Sequence, residues 1–373
     1  MLNSVFKPLV ACQRQTISYN NIKITYKERY NLSIDRKSSI PPHVLKLQAL
    51  YHRLPQNHSR YPFVEKRIRN ELSGLYGESR LYYPLSKIPT PHNILQNTRL
   101  YLHSSYFQID FLIITSKFLL ILESKYYSDD LMFDDTVHQV IQKKDQQIKV
   151  FDDPVLQAEE QAYQLAVWLE KLGYSNLPIE YYVVMTNSQT RLRIDPTNNH
   201  HAEKVISLQR LPSLFRELIK KYQQDLLTLN EMSNLTKTIS NHHQTYIPDI
   251  LKTSKVSAED ILKGVICMNC GVVGMKMYKL RWQCVGCGHR SSNAHENTLK
   301  DYFLLMSPII TNQKFRDFAL LRANSTARDM LNKASFKKKG DKKFRKYHLY
   351  YDFNSEDFSY LSNLTAIRSQ TRR

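Results

Sequence analysis

The sequence predicts an α/β protein: a mixed sheet flanked by helices over residues 61–225, then a cysteine-bound module at 263–292 and a basic, winged-helix-like unit at 293–352. Three observations predict it. Residues 107–115 and 118–126 are apolar on both strand faces, as in central strands covered by helices on each side. Amphipathic helical stretches alternate with β-branched runs at a spacing that builds a mixed sheet with helices on its faces. Two C-x-x-C-G repeats lie close together downstream, the mark of a small separate module.

Composition narrows the function. The chain has 373 residues, enough for two or three domains at roughly 150 residues each. Its 9 glycines and 14 prolines are too few for a fibrous or low-complexity chain. No apolar run approaches the ~20 residues that a membrane helix needs. Lys and Arg number 53 against 34 Asp and Glu, and the formal charge of +19 points to a polyanionic partner, nucleic acid first. Leu9-Val10-Ala11-Cys12 has the form of a lipoprotein cleavage box, but Lys7 and Pro8 leave no room for the apolar stretch of a secretory signal. The other four cysteines form two close pairs, which suits metal in a reducing, cytoplasmic setting better than disulfides.

Along the chain, residues 1–60 read as a polar extension with one short helix at 42–54. A helix at 65–83 opens the α/β unit, and 84–97 is turn-rich. The two apolar strands follow, then a helix at 155–172, strands at 179–186 and 204–208, and a helix at 211–224. Residues 226–262 read as a helical connector. The last segment, 353–373, lacks a core pattern and reads as a loosely held tail.

The apolar strands carry the first site. If Ser116-Lys117 is a two-residue turn, Thr115 faces Phe118, Asp110 faces Glu123 and Gln108 faces Lys125. Alternation then puts Gln108, Asp110, Glu123 and Lys125 on one face. Two opposed carboxylates repel, and in an apolar sheet they also cost desolvation. A divalent cation that prefers hard oxygen ligands, Mg²⁺ or Mn²⁺, removes both costs. Lys125 would orient or activate a water, or offset charge on a phosphate. The bland alternative is an exposed sheet end where these groups are mere ion pairs.

These residues resemble the PD-(D/E)xK nuclease superfamily, whose signature is Asp, a hairpin, then Glu-x-Lys. The flanks resemble the nuclease-related domain, NERD: Gly74-Leu75-Tyr76-Gly77-Glu78, then Gln108-Ile109-Asp110, Glu123-Ser124-Lys125, and Asp153-Pro154-Val155-Leu156-Gln157 leading into a helix with Gln161. The resemblance covers roughly residues 60–225. It implies a restriction-endonuclease-like core and metal-dependent phosphodiester hydrolysis in nucleic acid, DNA before RNA. It also implies that Glu78 is the acid from the first helix, that Asp110 and Glu123 hold metal, and that Lys125 is the catalytic lysine. Ser124 departs from the usual apolar residue. Gln157, Gln161 and Gln164 line one helical stripe beside the apolar stripe Ala158, Ala162, Leu165, Leu169 and Leu172. The glutamines either face the cleft and bind phosphate or form a solvated flank, and Gln157 is the one carried as a site residue.

Cys267-x-x-Cys270-Gly271 and Cys284-x-x-Cys287-Gly288, with 13 residues between the inner cysteines, have the spacing of a structural Zn²⁺ site with four thiolates. Four ligands close the shell, so His289 and His295 read as surface histidines. Tyr278, Leu280 and Trp282 alternate as a strand of a zinc ribbon.

In the basic unit, a helix at 312–321 with Phe315, Phe318, Ala319 and Leu321 inward precedes one at 326–333 with Ala327, Met330 and Leu331 inward, capped by Asn324-Ser325. A basic hairpin around Gly340-Asp341 follows. Helix, turn, helix, hairpin is the order of a winged helix. Arg328, Lys333, Lys337, Lys338, Lys339, Lys342, Lys343, Arg345 and Lys346 are the candidate nucleic-acid contacts. From Lys333 to Lys346 there are eight cations against one acid, Asp341. The reading is a Mg²⁺- or Mn²⁺-dependent nuclease. The alternative is a non-catalytic nucleic-acid-binding or transcription-associated regulator on a relic nuclease fold. The opposed carboxylates favour the first, because a relic has no reason to keep them.

Overall fold

The computed structural model describes residues 34–36, 40–134, 137–144, 147–194, 199–341 and 344–370; Cys12, Lys342 and Lys343 lie outside them. In chain order come β1 (Ile34–Arg36), α1 (Pro42–Arg53), α2 (Tyr61–Ser79), β2 (Asn93–Leu102), β3 (Ser105–Ile114) and β4 (Leu119–Lys125). Then follow β5 (Asp130–Asp134), β6 (Gln139–Lys144), β7 (Gln147–Asp152), α3 (Pro154–Glu170), β8 (Ile179–Met185), β9 (Arg191–Arg193), β10 (Val205–Ser207), α4 (Leu211–Lys221) and α5 (Leu229–His242).

The main sheet has the order β1-β2-β3-β4-β8-β10. It is mixed: β2, β3 and β4 run antiparallel, whereas β8 joins β4 in parallel through the α3 crossover. Phe111, Ile113, Phe118, Leu120 and Leu122 pack on Leu211, Leu214, Phe215 and Leu218 of α4. On the opposite face, Leu112, Ile114, Leu119 and Ile121 pack on Ala162, Leu165 and Leu169 of α3 and on Leu235 and Ile239 of α5. Both faces are covered, which is why both strand runs are apolar throughout.

The structure departs from the sequence reading in three places. Strand β2 starts at Asn93, inside the stretch read as turns, because its buried polar residues Gln96 and Thr98 hide the apolar pattern. A second sheet, β7-β6-β5-β9, is inserted before α3. Its Lys- and Gln-rich strands bury one face only, through Leu131, Phe133 and Val140.

The third departure concerns both ends of the chain. The cysteine module holds β11 (Val265–Ile266), β12 (Val273–Tyr278), β13 (Arg281–Gln283) and β14 (Arg290–Ser291). After it come α6 (His295–Leu305), β15 (Ile309–Thr311), α7 (Asn312–Ala319), α8 (Asn324–Lys333), β16 (Lys337–Lys339), β17 (Lys346–His348) and α9 (Ser359–Gln370). Helix α1, read as part of an extension, is the buried centre of this half: Val44, Leu47, Leu50 and Leu54 share one core with Cys267, Trp282, Phe315 and Leu331. The segment read as a loose tail contributes Phe358, Leu361 and Leu364 to the same core. The buried Arg53 ties the parts together. Its Nε donates to Asp301 at 2.7 Å, and its Nη1 donates to the carbonyls of Leu262 and Gly264 at 2.8 and 3.0 Å. Removing one partner of so buried a pair typically costs about 3–5 kcal/mol.

Candidate functional site

The Ser116-Lys117 turn forms as the sequence predicts, with Thr115 N donating to Phe118 O at 3.1 Å. The β3–β4 ladder runs from Ile114 opposite Leu119 to Phe111 opposite Leu122 and ends there, one residue short of Asp110 and Glu123. Asp110 Oδ2 accepts from the Ser124 amide at 3.0 Å. Glu123 is buried and held on both oxygens: Lys125 Nζ lies 2.7 Å from Oε1, and Gln161 Nε2 donates to Oε2 at 3.0 Å. Lys125 Nζ also donates to Gln157 Oε1 at 3.0 Å. Both glutamines thus face the carboxylates. Gln161, the deeper of the two, belongs to the motif, but the sequence assigns it no role; its i+4 spacing from Gln157 is the signal that points to it.

Asp153 sets where α3 begins. Its Oδ1 accepts from Val155 N at 2.8 Å as an N-cap, and its Oδ2 lies 2.6 Å from His201 Nε2, both side chains being buried. Pro154 follows at the first helical position, so the first turn of α3 is fixed and Gln157 and Gln161 stand one turn apart beside β4.

Glu78 arrives from the end of α2. Its Oε2 accepts from Gln96 Nε2 at 3.0 Å and from Asn97 Nδ2 at 3.2 Å, and Tyr82 Oη donates to Gln96 Oε1 at 2.7 Å. This approach needs Gly77, where a Cβ would lie 2.6 Å from Tyr126 Cβ and 2.9 Å from Thr186 Oγ1. Asn97, across the ladder from Asp110, is left-handed with φ of 50° in the middle of β2, a rare conformation that marks a constrained site. Here the alternation slips. Phe111 packs in the α4 core while Ile109 packs in the α3–α5 core, although a regular pleat would put both on one face. Gln108 therefore does not join the Glu123–Lys125 face. Its Nε2 lies 3.4 Å from Asn97 Oδ1 instead.

Burial pushes Glu78 up to about 7, with Glu123 adding to the shift against the amides of Gln96 and Asn97. Burial, then Glu123 and Glu78, hold Asp110 well above the usual carboxylate range. For Lys125 burial acts downward, but Glu123 outweighs it and the ammonium is held above its ordinary value. Three acids thus share one cation; ionised together they would leave two negative charges, the deficit that a divalent cation would fill and that, without one, keeps Asp110 and Glu78 raised. Among the described residues the three acids do not bring their oxygens within 4.8 Å of one another, so such an ion would take its other ligands from water and phosphate.

The four cysteines do close. Cys267, Cys270, Cys284 and Cys287 bring their sulfurs within 4.8 Å of one another, with 3.7 Å between Cys267 and Cys287 and 3.5 Å between Cys270 and Cys284. Gly271 and Gly288 follow the pairs in left-handed conformations, φ 74° and 71°, and their amides reach back to the carbonyls of Cys267 and Cys284. Four thiols so placed, none in a disulfide, could bind zinc. Two expectations here are corrected. Tyr278 and Trp282 sit on different strands, because Lys279 and Leu280 are both left-handed and turn the chain into a hairpin. His295 is not on the surface: Trp282 Nε1 donates to its Nδ1 at 3.2 Å, and burial pushes it down to about 4, so it is a neutral core residue.

In the basic unit the sheet order is β15-β17-β16, with α7 and α8 between β15 and β16. Phe315, Phe318, Ala319, Leu321, Ala327 and Leu331 are buried as expected. Asn324 starts α8 rather than capping it, and Ala323 at the cap makes no side-chain bond. Arg328, Lys333, Lys337, Lys338, Lys339 and Lys346 are exposed and Arg345 is half-buried. Lys339 pairs with Lys346 across the hairpin, a repulsive arrangement that a polyanion would relieve.

Residues 73–186 match the nuclease-related domain family, NERD, and the chain therefore carries such a domain. Placement in the PD-(D/E)xK superfamily is consistent with that match. The span includes Glu78, Asp110, Glu123, Lys125, Gln157 and Gln161. No curated protein and no solved structure matches the chain. No described helix is long and apolar enough to cross a membrane.

Proposed function

We propose that the nuclease-related domain hydrolyses phosphodiester bonds in nucleic acid, DNA in preference to RNA, with Mg²⁺ or Mn²⁺ held by Asp110 and Glu123. The observation that supports it most is the buried Glu123, beside Asp110 and clamped by Lys125 and Gln161 at one end of an apolar sheet. When bound, the cation would lower the pKa of a water and neutralise charge on the scissile phosphate.

The side chains divide the remaining work. Glu78, poised at about 7, accepts the proton of the attacking water, since a general base works best near the ambient pH. Lys125 stays protonated, so it serves the phosphate as a cation rather than removing a proton. Gln157 fixes its ammonium, and Gln161 fixes Glu123. The water oxygen bonds to phosphorus as the bond to the leaving nucleoside oxygen breaks, and solvent protonates the leaving oxygen.

The rest of the chain holds the substrate. Zn²⁺ on the four cysteines is structural, with no open position for chemistry. Helices α7 and α8 with the β16–β17 hairpin act as a winged-helix-like unit. Arg328 and Lys333 lie on its second helix, and Lys337, Lys338, Lys339, Arg345 and Lys346 on or beside its wing; Lys342 and Lys343 are carried as contacts from the sequence alone. The nuclease-related unit takes in helix α5 (Leu229–His242) as well as 61–225, helix α1 (Pro42–Arg53) and the segment 358–364 belong with the zinc and basic units, and the four free thiols suit a reducing cytoplasm. The test incubates purified protein with plasmid, linear DNA and RNA, each with Mg²⁺, Mn²⁺ or EDTA. Cleavage that needs metal and disappears in Asp110→Asn is the expected result. Binding without cleavage under every condition would replace this reading with the non-catalytic one.

A further inference from the structure

The outer half of the β2–β3 ribbon carries a strip that the hydrolytic site does not use. Beyond Asn97 and Asp110, one face of the ribbon is apolar and buried through Leu100, Leu102, Phe107 and Ile109. The other face presents Arg99 paired with Gln108 and then Tyr101 paired with Tyr106. Tyr101 is 53% and Tyr106 45% exposed. Their ring centroids are 5.0 Å apart, and the Arg99 guanidinium lies 3.7 Å from the Tyr106 ring and 5.3 Å from that of Tyr246, itself 42% exposed. Three exposed tyrosines, two of them against one arginine, do nothing for the core. Lys171, 3.3 Å from His103 Nε2, adds positive charge near the ribbon tip.

We propose that this strip is a stacking platform for single-stranded nucleic acid that leads the strand into the Asp110–Glu123 site. The proposal deepens the hydrolytic reading and rests on it for what happens at the site's end. Exposed aromatic rings on a ribbon stack unpaired bases whatever their sequence, while neighbouring cations follow the backbone. The bases of a duplex already stack on one another and offer no free face to such rings. The strip reaches the site through Glu78 and not along the Glu123–Lys125 face: Gln108 meets Asn97, and Asn97 meets Glu78. Asp110 lies four residue steps beyond Tyr106, about 14 Å along a strand at ~3.4 Å each. That span covers about four nucleotides at the ~3.4 Å rise of a B-form strand, and fewer in a stretched one. A base on Tyr106 would thus lie a few nucleotides from the bond to be cut. The preferred substrate is a single strand, or the single-stranded tail of a duplex, in place of continuous duplex.

The experiment uses the full chain in EDTA, so that binding is read without cleavage. Fluorescence anisotropy is measured with labelled oligo-dT, oligo-rU and a blunt duplex of about the same length. The double variant Tyr101→Ala/Tyr106→Ala should bind the better single strand about tenfold or more weakly, given the usual contribution of base–aromatic stacking. Duplex binding should change less than twofold, and Tyr101→Phe/Tyr106→Phe, which keeps the rings, should bind the single strand like wild type. Whichever of the DNA and RNA oligomers loses affinity identifies the sugar preferred. Loss of less than twofold for both single strands, or equal loss for the duplex, overturns the platform and leaves the strip to a protein partner or to none. Because no metal is present, a chain that never cuts but shows the expected loss keeps the platform and loses only the hydrolytic reading. A chain that cuts but shows no loss keeps hydrolysis and loses the platform.

Discussion

Gly77→Ala tests how the fold seats Glu78. The added methyl would lie 2.6 Å from Tyr126 Cβ, about 0.8 Å short of the 3.4 Å at which ordinary contact begins. Neither neighbour can swing aside. Tyr126 Cβ is fixed to the backbone just beyond β4, and Thr186 Oγ1 is engaged with the Lys125 carbonyl at 3.2 Å. Helix α2 must therefore back away from the sheet. Overpacking of this kind costs about 1–3 kcal/mol. At roughly 2–4 °C per kcal/mol for a domain of this size, Tm should fall by about 2–12 °C. The same retreat carries Glu78 off its place, and a displacement near 1 Å can lower a rate about 10²-fold. Gly74, one turn earlier, is the control. Nothing lies within 4 Å of its added Cβ, and Gly74→Ala at an exposed helix position should raise stability by about 0.5–1 kcal/mol with cleavage unchanged. Calorimetric Tm and single-turnover cleavage of a labelled oligonucleotide in Mn²⁺ read both variants. If Gly77→Ala melts and cuts like wild type, the close approach of α2 does not seat Glu78 and the reasoning fails.

Three further outcomes follow from the same geometry. Because burial and neighbouring acids hold Asp110 and Glu78 above their ordinary values, the folded state binds protons more tightly than the unfolded one; metal-free stability should fall as pH rises from about 4.5 to about 7. Asp110→Asn and Glu123→Gln should lose cleavage yet flatten this fall, so that Tm in EDTA at pH 8 equals or exceeds wild type; an unchanged pH slope in both would refute the shared-charge account. Elemental analysis should find about one zinc per chain, and Cys284→Ser should lower the melting of the C-terminal half, whose core contains Cys267 and Cys284, while the sheet strands of the nuclease domain keep their hydrogen-exchange protection. Replacing Lys338, Lys339, Lys342 and Lys343 with Ala should weaken binding to unrelated duplexes about equally and make the log–log salt slope shallower by about 3, if three of them meet phosphate at ~0.9 each; a salt titration that leaves the slope unchanged would move the DNA-holding role elsewhere.

Sequence alone determined whatever rests on short-range pattern. The two-residue turn was enough to set the β3–β4 register as far as Phe111 opposite Leu122 and so to bring Asp110 near Glu123, and the C-x-x-C-G spacing was enough to gather four sulfurs. Both are local: a tight turn fixes a register, and a knuckle glycine fixes the loop around a thiol. Gln161 was visible as a stripe but not as a ligand of Glu123, because periodicity reports a helix face and not what that face meets. Tertiary structure decided everything that depends on partners distant in the chain. Helix α1 looked like an extension because its own pattern cannot reveal that Arg53 pairs with Asp301 some 250 residues later. The apolar residues from Phe358 to Leu364 looked too few to hold a core because the surface they cover belongs to other helices. Asn97 carried no visible signal at all. Its left-handed backbone coincides with side-chain bonds to Glu78 of α2 and Gln108 of β3, and the slip at this point turns Gln108 away from the Glu123–Lys125 face where alternation would have placed it.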